Sequence, residues 1–312
     1  MITDKLQITQ AIKAEAIRLG FSACGIAAAK PVTKNMAESF DSWISDKYHA
    51  EMAYMENNRE KRYNPELLVE GTKSIICVAL NYYPRQKLKE DQLQLAYYAY
   101  GKDYHDVMKQ KLNALFNYIN TELIPVKGRV FCDTAPVMER YWAQQSGIGW
   151  IGKNTQLIIP GAGSYFFLGE IFIDTELIYD TPSANRCGSC NKCLLACPTN
   201  ALESPYRLNA SKCISYLTIE NRSEIPKEQA SRLDNKIYGC DDCQKACPWN
   251  RFALPTTTPE FQPSEQFMNM KSSEWHDLTI EKYQSLTKGS AIKRAKYEGI
   301  VRNIKTICKH DY

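Results

Sequence analysis

The chain has 312 residues, 44% hydrophobic and 24% charged, which is long enough for about two domains with a real core. Its 39 Lys and Arg against 35 Asp and Glu leave a charge of +4, which permits nucleic-acid binding without arguing for it. No apolar run has signal-peptide character or approaches the roughly 18 residues of a membrane span, so a cytoplasmic protein with no membrane partner is expected.

In chain order, residues 3 to 19 predict an amphipathic helix with Ile8, Ile12 and Leu19 on one stripe and Gly20 as its stop. SIICVAL, 74 to 80, is rich in β-branched residues and predicts a buried strand. The stretch 103 to 123 places Met108, Leu112, Leu115 and Ile119 at helical spacing behind Asp103. RVFCDT, 129 to 134, predicts a strand, after which Pro136 opens a helix to about Gln145. QLIIP and SYFFLGEIFID, separated by GAG, predict a hairpin. Strands and helices mix without a regular alternation, so the fold class is α+β.

GIGWIGKN, 147 to 154, satisfies G-x-G-x-x-G, the pattern of a dinucleotide site. That fingerprint must follow a strand and open a helix, whereas this segment follows a helix and leads into a strand. Its glycines predict a loop that allows close backbone approach to something large. Beyond Pro255, TTTPEFQPSEQF resembles a linker, and helices follow it through residue 307. The stretch 288 to 305 carries Lys288, Lys293, Arg294, Lys296, Arg302 and Lys305 against Glu298, a face that either tracks phosphates or is simply solvated.

Twelve cysteines in a reducing compartment point to metal ligands before disulfides. Cys187, Cys190, Cys193 and Cys197 follow C-x2-C-x2-C-x3-C-P, the bacterial ferredoxin spacing, in which the fourth cysteine ligates the other of two clusters. Cys240, Cys243 and Cys247 repeat the run without its first cysteine, for which Cys213 is the candidate. One 4Fe-4S cluster is therefore assigned to Cys187, Cys190, Cys193 and Cys247, the other to Cys197, Cys213, Cys240 and Cys243. The rival is a pair of zinc sites, for which these spacings are poorly arranged. Cys24, Cys77, Cys132 and Cys308 are isolated and predict buried fillers. Residues 179 to 256 thus form a ferredoxin-like electron-transfer module, and the 178 residues before it must hold the destination of the electrons.

RVFCDTAPVMERYWAQQSGIGWIGKN, GSYFFLGEIFID, the two cysteine runs, SYLTIENR and GSAIKRAKYEGIVRN together resemble the epoxyqueuosine reductases, in order, from about residue 70 to 305. The resemblance implies a cobalamin-binding α+β domain over 1–178, a two-cluster domain over 179–256 and a C-terminal helical segment over 257–312. It implies that electrons from an external one-electron donor, such as ferredoxin or flavodoxin, pass through both 4Fe-4S clusters to cobalamin. The epoxide oxygen of epoxyqueuosine is then removed at the wobble position of tRNA.

By the same resemblance Asp133 is the proton donor, and a carboxyl desolvated by cobalamin should have its pKa raised toward neutrality; read without it, Asp133 would cap the next helix. Tyr104, His105, Asp133, Leu157, Leu168, Ile171, Ser215, Cys240 and Asp241 fall at family positions around the cofactor, with the 157–171 hairpin as a wall. DYHDVM begins like the D-x-H-x-x-G cobalamin signature, but Met108 stands at the glycine position, so His105 is not read as a cobalt ligand. Glu220, Asn221 and Arg222, with Lys293 and Arg294, are the expected tRNA contacts. Some members continue into a helical-repeat domain where this chain ends at Tyr312. A monomer is expected. Two alternatives stand beside the reductase: a soluble reductive dehalogenase with the same cofactors, against which the lack of a twin-arginine segment counts, and a non-catalytic electron-transfer protein.

Overall fold

Seven consecutive buried residues, Ser74 to Leu80, make strand β2 (Ser74–Asn81) one that must be covered on both faces. In the computed structural model, which describes residues 4–308, it lies inside an antiparallel sheet with β1 (Ala23–Ala28), β3 (Gly128–Phe131) and β4 (Phe166–Ile173). The spatial order is β1-β2-β4-β3.

Helices cover both faces, α1 (Lys5–Arg18) and α2 (Tyr104–Tyr118) one of them and α3 (Glu139–Gln145) the other. Asp103 starts α2 by accepting the His105 N–H at 3.1 Å, as an N-cap should. The apolar stripe of α2 can settle against β4 because residue 169 is glycine: a Cβ there would meet Met108 at 2.8 Å and Leu112 at 2.9 Å. On the opposite face Tyr141, Trp142 and Ala143 of α3 pack on Ala27, Cys77, Ala79 and Phe172. The mixed α+β class is the one expected.

Three local expectations change. The predicted hairpin from Leu157 to Ile171 does not form: Leu157–Ile158 pairs with Trp150–Ile151, while β4 pairs with β2 and β3. Both segments are apolar strands, but the first pairs back onto Trp150–Ile151 and the second has partners far away in sequence, where a turn signal carries no information. Helix α3 starts at Glu139, not Pro136, because residues 132 to 137 form two tight turns, Thr134 N–H to Cys132 O at 2.6 Å and Val137 N–H to Ala135 O at 2.7 Å. The linker-like 256–267 stretch is a packed strap, with Thr256, Thr258, Phe261 and Phe267 buried and Phe261 edge-on to Phe167 at 4.9 Å.

The cysteine segment does not stand apart. Its strand Lys236–Tyr238 pairs in parallel with Gln94–Leu95. Wholly buried Asn303, on α5 (Lys296–Cys308), donates to the carbonyls of Ile237 and of Thr218 on α4 (Ile214–Ile219), both at 2.8 Å. One apolar core consequently runs from Ile12 through Leu112 and Tyr238 to Ile304. Among the described residues, no helix is long and apolar enough to cross a membrane.

Candidate active site

Strand β3 ends at Phe131, and the turn behind it presents Asp133 with φ +58°, the left-handed region. The side chain, 56% exposed, meets the first turn of α2. Tyr104 donates its hydroxyl to Asp133 Oδ2 at 2.5 Å, and His105 Nε2 lies 3.2 Å from the same oxygen. The other face of the imidazole is held by Asp103, whose Oδ1 is 2.7 Å from Nδ1. Both ring nitrogens thus face carboxylates, an arrangement that favours imidazolium. Hydrogen bonds to Asp103 and then Asp133 lift His105 to about 9.

Asp133 behaves opposite to expectation. Loss of water pushes its carboxyl up, but the hydrogen bonds from His105 and Tyr104 outweigh that and hold it below the usual carboxylate range. The proton of this cluster therefore rests on His105. Asp133 does not cap α3 either: Glu139, the first residue of α3, reaches back to accept the Asp133 N–H at 2.5 Å. Glu139 is lifted to about 7, first by the surrounding protein, then by the charge of Asp133. Behind it Glu170, wholly buried on β4, has no hydrogen-bond partner for either oxygen among the described residues, and burial drives its pKa well above the carboxylate range. Both carboxyls escaped the sequence reading. The available signal was an acidic residue inside the otherwise apolar FFLGEIFI strand.

The other family positions divide into reachable and enclosed. Leu168 is half-buried, beside half-buried Phe166, Ala135 and Met138 at the edge of the second core. Leu157 and Ile171 are buried in the core and paired in their sheets, Ile171 with β2 and β3 on either side, so they support the wall rather than face a ligand. Asp241 is also buried, accepting the Tyr97 N–H at 2.8 Å, and burial lifts it to about 6. Cys240 and Ser215 are half-buried.

Cys187, Cys190, Cys193 and Cys247 line one cavity together with Lys153, Asn154, Ile158, Pro248 and Trp249. The GIGWIGKN loop builds its wall. Trp150 Nε1 points at Cys187 Sγ at 3.5 Å, and Lys153 Nζ donates to the carbonyls of Gly188 and Cys190 at 2.7 and 2.9 Å. Close approach is needed where Gly149 meets its neighbour strand, since a Cβ there would lie 2.3 Å from the Ile158 carbonyl oxygen. Cys213, Cys240 and Cys243 are pushed up by burial, Cys240 and Cys243 also by Cys213. Cys197 Sγ accepts the Ala201 N–H at 3.2 Å. Burial disfavours free thiolates here, so a positively charged metal group would be needed to stabilise them.

The proposed tRNA residues are partly committed within the protein. Arg222 donates to the carbonyls of Ile219, Arg294 and Ala295 at 3.1, 2.9 and 3.3 Å. Asn221 is buried, and Arg294 forms a two-pronged pair with Glu220 at 2.8 Å. Lys293 is exposed. Arg302 likewise serves the carbonyls of Leu217, Asn221 and Ser223.

Residues 62–134 match the family described as Epoxyqueuosine reductase QueG, DUF1730, and residues 186–250 match the 4Fe-4S double cluster binding domain. The epoxyqueuosine reductase of Leadbetterella byssophila is 47% identical over 294 residues, covering 94% of this chain and 96% of that protein. That of Cellulophaga algicola is 44% identical, covering 94% and 95%; that of Escherichia coli is 38% identical, covering 96% and 80%. A crystal structure of epoxyqueuosine reductase with an epoxyqueuosine-modified tRNA-Tyr stem loop is similar with a TM-score of 0.88 at 28% identity, over 98% of this chain and 82% of that one.

Proposed function

This chain belongs to the epoxyqueuosine reductase family, and from that premise we propose that it reduces epoxyqueuosine to queuosine in tRNA, with His105 and Asp133 managing the proton. The observation that carries the reading is identity of 44 to 47% with named reductases over 94% of the chain. Neither the dehalogenase nor the electron-carrier alternative has a comparable observation behind it.

The residues fit the cofactors of such an enzyme. Cys187, Cys190, Cys193 and Cys247 would hold one 4Fe-4S cluster, and Cys197, Cys213, Cys240 and Cys243 the other. The half-buried Phe166, Leu168, Ala135 and Met138 of the second core and the hydrogen-bonding Tyr104, His105 and Asp133 at the start of α2 supply the apolar and polar groups that a bulky, amide-fringed cobalamin would require. Leu157, Ile171, Ser215, Cys240 and Asp241 complete that site, the buried ones by supporting their neighbours. Cobalamin held there would supply the low-potential reductant for opening the epoxide.

Reduction of an epoxide to an alkene takes up two electrons and two protons and releases water. At neutral pH His105 carries a proton 3.2 Å from the Asp133 carboxylate, so His105 passes that proton to Asp133, which delivers it to the departing oxygen, and the second proton comes from solvent. Asp103 keeps the imidazolium in place throughout. A wobble base lies in a single-stranded loop and is readily splayed into such a site. Lys293 and the Glu220–Arg222 region serve the tRNA, the former through phosphate contact. Electrons come from an external one-electron donor such as a ferredoxin or flavodoxin, and the chain works as a cytoplasmic monomer.

The test is anaerobic turnover of an epoxyqueuosine-containing anticodon stem-loop by protein reconstituted with iron, sulfide and cobalamin, the nucleosides being weighed by mass spectrometry. Loss of one oxygen that depends on cobalamin is expected. No loss, from protein with verified clusters and cobalamin, overturns the reading.

A further inference from the structure

We infer that Glu139 is the positioning residue for Asp133: by accepting the backbone N–H of residue 133, its carboxyl holds the turn that aims the Asp133 side chain at Tyr104 and His105. This deepens the proposed function and rests on it for the role of Asp133, though not for the geometry of the turn.

The turn needs a holder. The Thr134 N–H to Cys132 O contact at 2.6 Å closes a three-residue turn centred on Asp133, and with φ +58° at the centre this is the rare, strained form. Such backbone persists only where its surroundings over-determine it. The turn turns the Asp133 amide away from the sheet, and the acceptor it finds is Glu139 Oε1 at 2.5 Å. An ionised acceptor makes that bond roughly twice as strong as a neutral one.

Glu139 is well placed to be that acceptor. It stands in the first turn of α3, where the helix dipole favours negative charge. Tyr141 and Trp142, just behind it, are buried in the second core, so the carboxyl is carried on a fixed support. The titratable groups that face it are Asp133 in the turn, Arg140 on its own helix, Tyr104 and His105 from α2, and Glu170, Cys77 and Cys132 from the sheet and its edge. Of these, Glu170 is enclosed without a hydrogen-bond partner among the described residues, and burial raises its pKa, which favours its neutral form. Asp133 opposes ionisation of Glu139, and Arg140 and His105⁺ favour it.

The test compares Glu139→Ala and Glu139→Gln with the native chain. The first readout is hydrogen exchange at the Asp133 amide in protein holding its clusters but no cobalamin; the second is kcat and KM for the stem-loop in the loaded enzyme. Glu139→Ala should speed exchange at that amide about tenfold or more and lower kcat about tenfold at nearly constant KM, the loss of one charge-assisted hydrogen bond. Glu139→Gln, which keeps an acceptor oxygen, should restore most of the protection and remove the pH dependence of kcat near 7. Melting temperature and iron content verify that each variant is folded, and Glu139→Gln serves if the alanine variant is not. Unchanged amide exchange in Glu139→Ala, or a glutamine variant as unprotected as alanine, overturns the inference. If the native protein shows no turnover, the proposed reaction falls, while the exchange comparison still decides the role of Glu139 in the turn.

Discussion

The rings of Tyr104 and Phe167 lie within 3° of parallel with centroids 4.3 Å apart, so helix α2 and strand β4 fix the plane from which the Tyr104 hydroxyl reaches Asp133. The stack and the hydrogen bond are separable. Tyr104→Phe should keep the stack and delete one of the donors that hold the Asp133 carboxyl down. The Asp133 pKa should therefore rise toward the ordinary carboxylate value. A carbon-13 NMR titration of Asp133 in cofactor-free protein measures it; no upward shift means the hydroxyl contributes nothing.

Turnover should fall as pH rises through about 9, where His105 loses its proton. The same group affects stability. Its folded pKa is raised above the ordinary 6.5, so its contribution is complete below 6.5 and lost between there and about 9. His105→Gln should flatten both curves in that window, as read by pH–rate profiles and thermal melts; a native melting temperature unchanged between pH 6.5 and 9 contradicts the pairing with Asp103 and Asp133.

Asp133→Asn preserves size and tolerates the left-handed backbone, yet cannot carry a proton to oxygen. It should retain iron and cobalamin while losing turnover by a factor on the order of 100 or more. Full activity would remove Asp133 from the chemistry.

The two sets of cysteines should fail independently. Cys247→Ala and Cys213→Ala should each lower iron from about eight to about four per chain. Electron paramagnetic resonance of the reduced proteins should show a different surviving cluster in each. Identical residual spectra would sink the division into Cys187, Cys190, Cys193, Cys247 and the remaining four.

Arg222→Ala should cost about 1 to 2 kcal/mol of stability, because the guanidinium satisfies the carbonyls of Ile219, Arg294 and Ala295. Lys293→Ala, exposed and free of those ties, should leave stability alone and reduce the salt slope of tRNA binding by about one. Urea melts and binding titrations in salt separate the two. A Lys293 variant with native salt dependence has no phosphate contact.

What could be read from the sequence follows from how local each constraint is. The cysteine runs were legible because a cluster dictates ligand spacing within a dozen residues, and α2 because a cap and an apolar stripe are written in consecutive turns. The false hairpin at 157–171 arose because two neighbouring apolar strands do not say whether they pair with each other; the first pairs with Trp150–Ile151 and the second with β2 and β3. The depressed pKa of Asp133 depends on Tyr104 and His105, which stand 29 and 28 positions earlier and meet it only in the folded chain. Glu139 was hidden for the same reason in miniature: six residues separate it from Asp133, across a turn whose backbone no propensity would predict.

The parallel pairing of Gln94–Leu95 with Lys236–Tyr238, and the clasp of Asn303 on Ile237, also bear on how the protein is made. A ribosome releases the first half of this chain long before its partners exist, and contacts across so many residues are slow to close. The sheet can form early, but the wall that carries Cys240 and Cys243 is secured only when the last helix has emerged. A nascent chain stalled before residue 303 should therefore leave Cys240 and Cys243 more open to oxidation than a chain that includes α5, as thiol labelling would show.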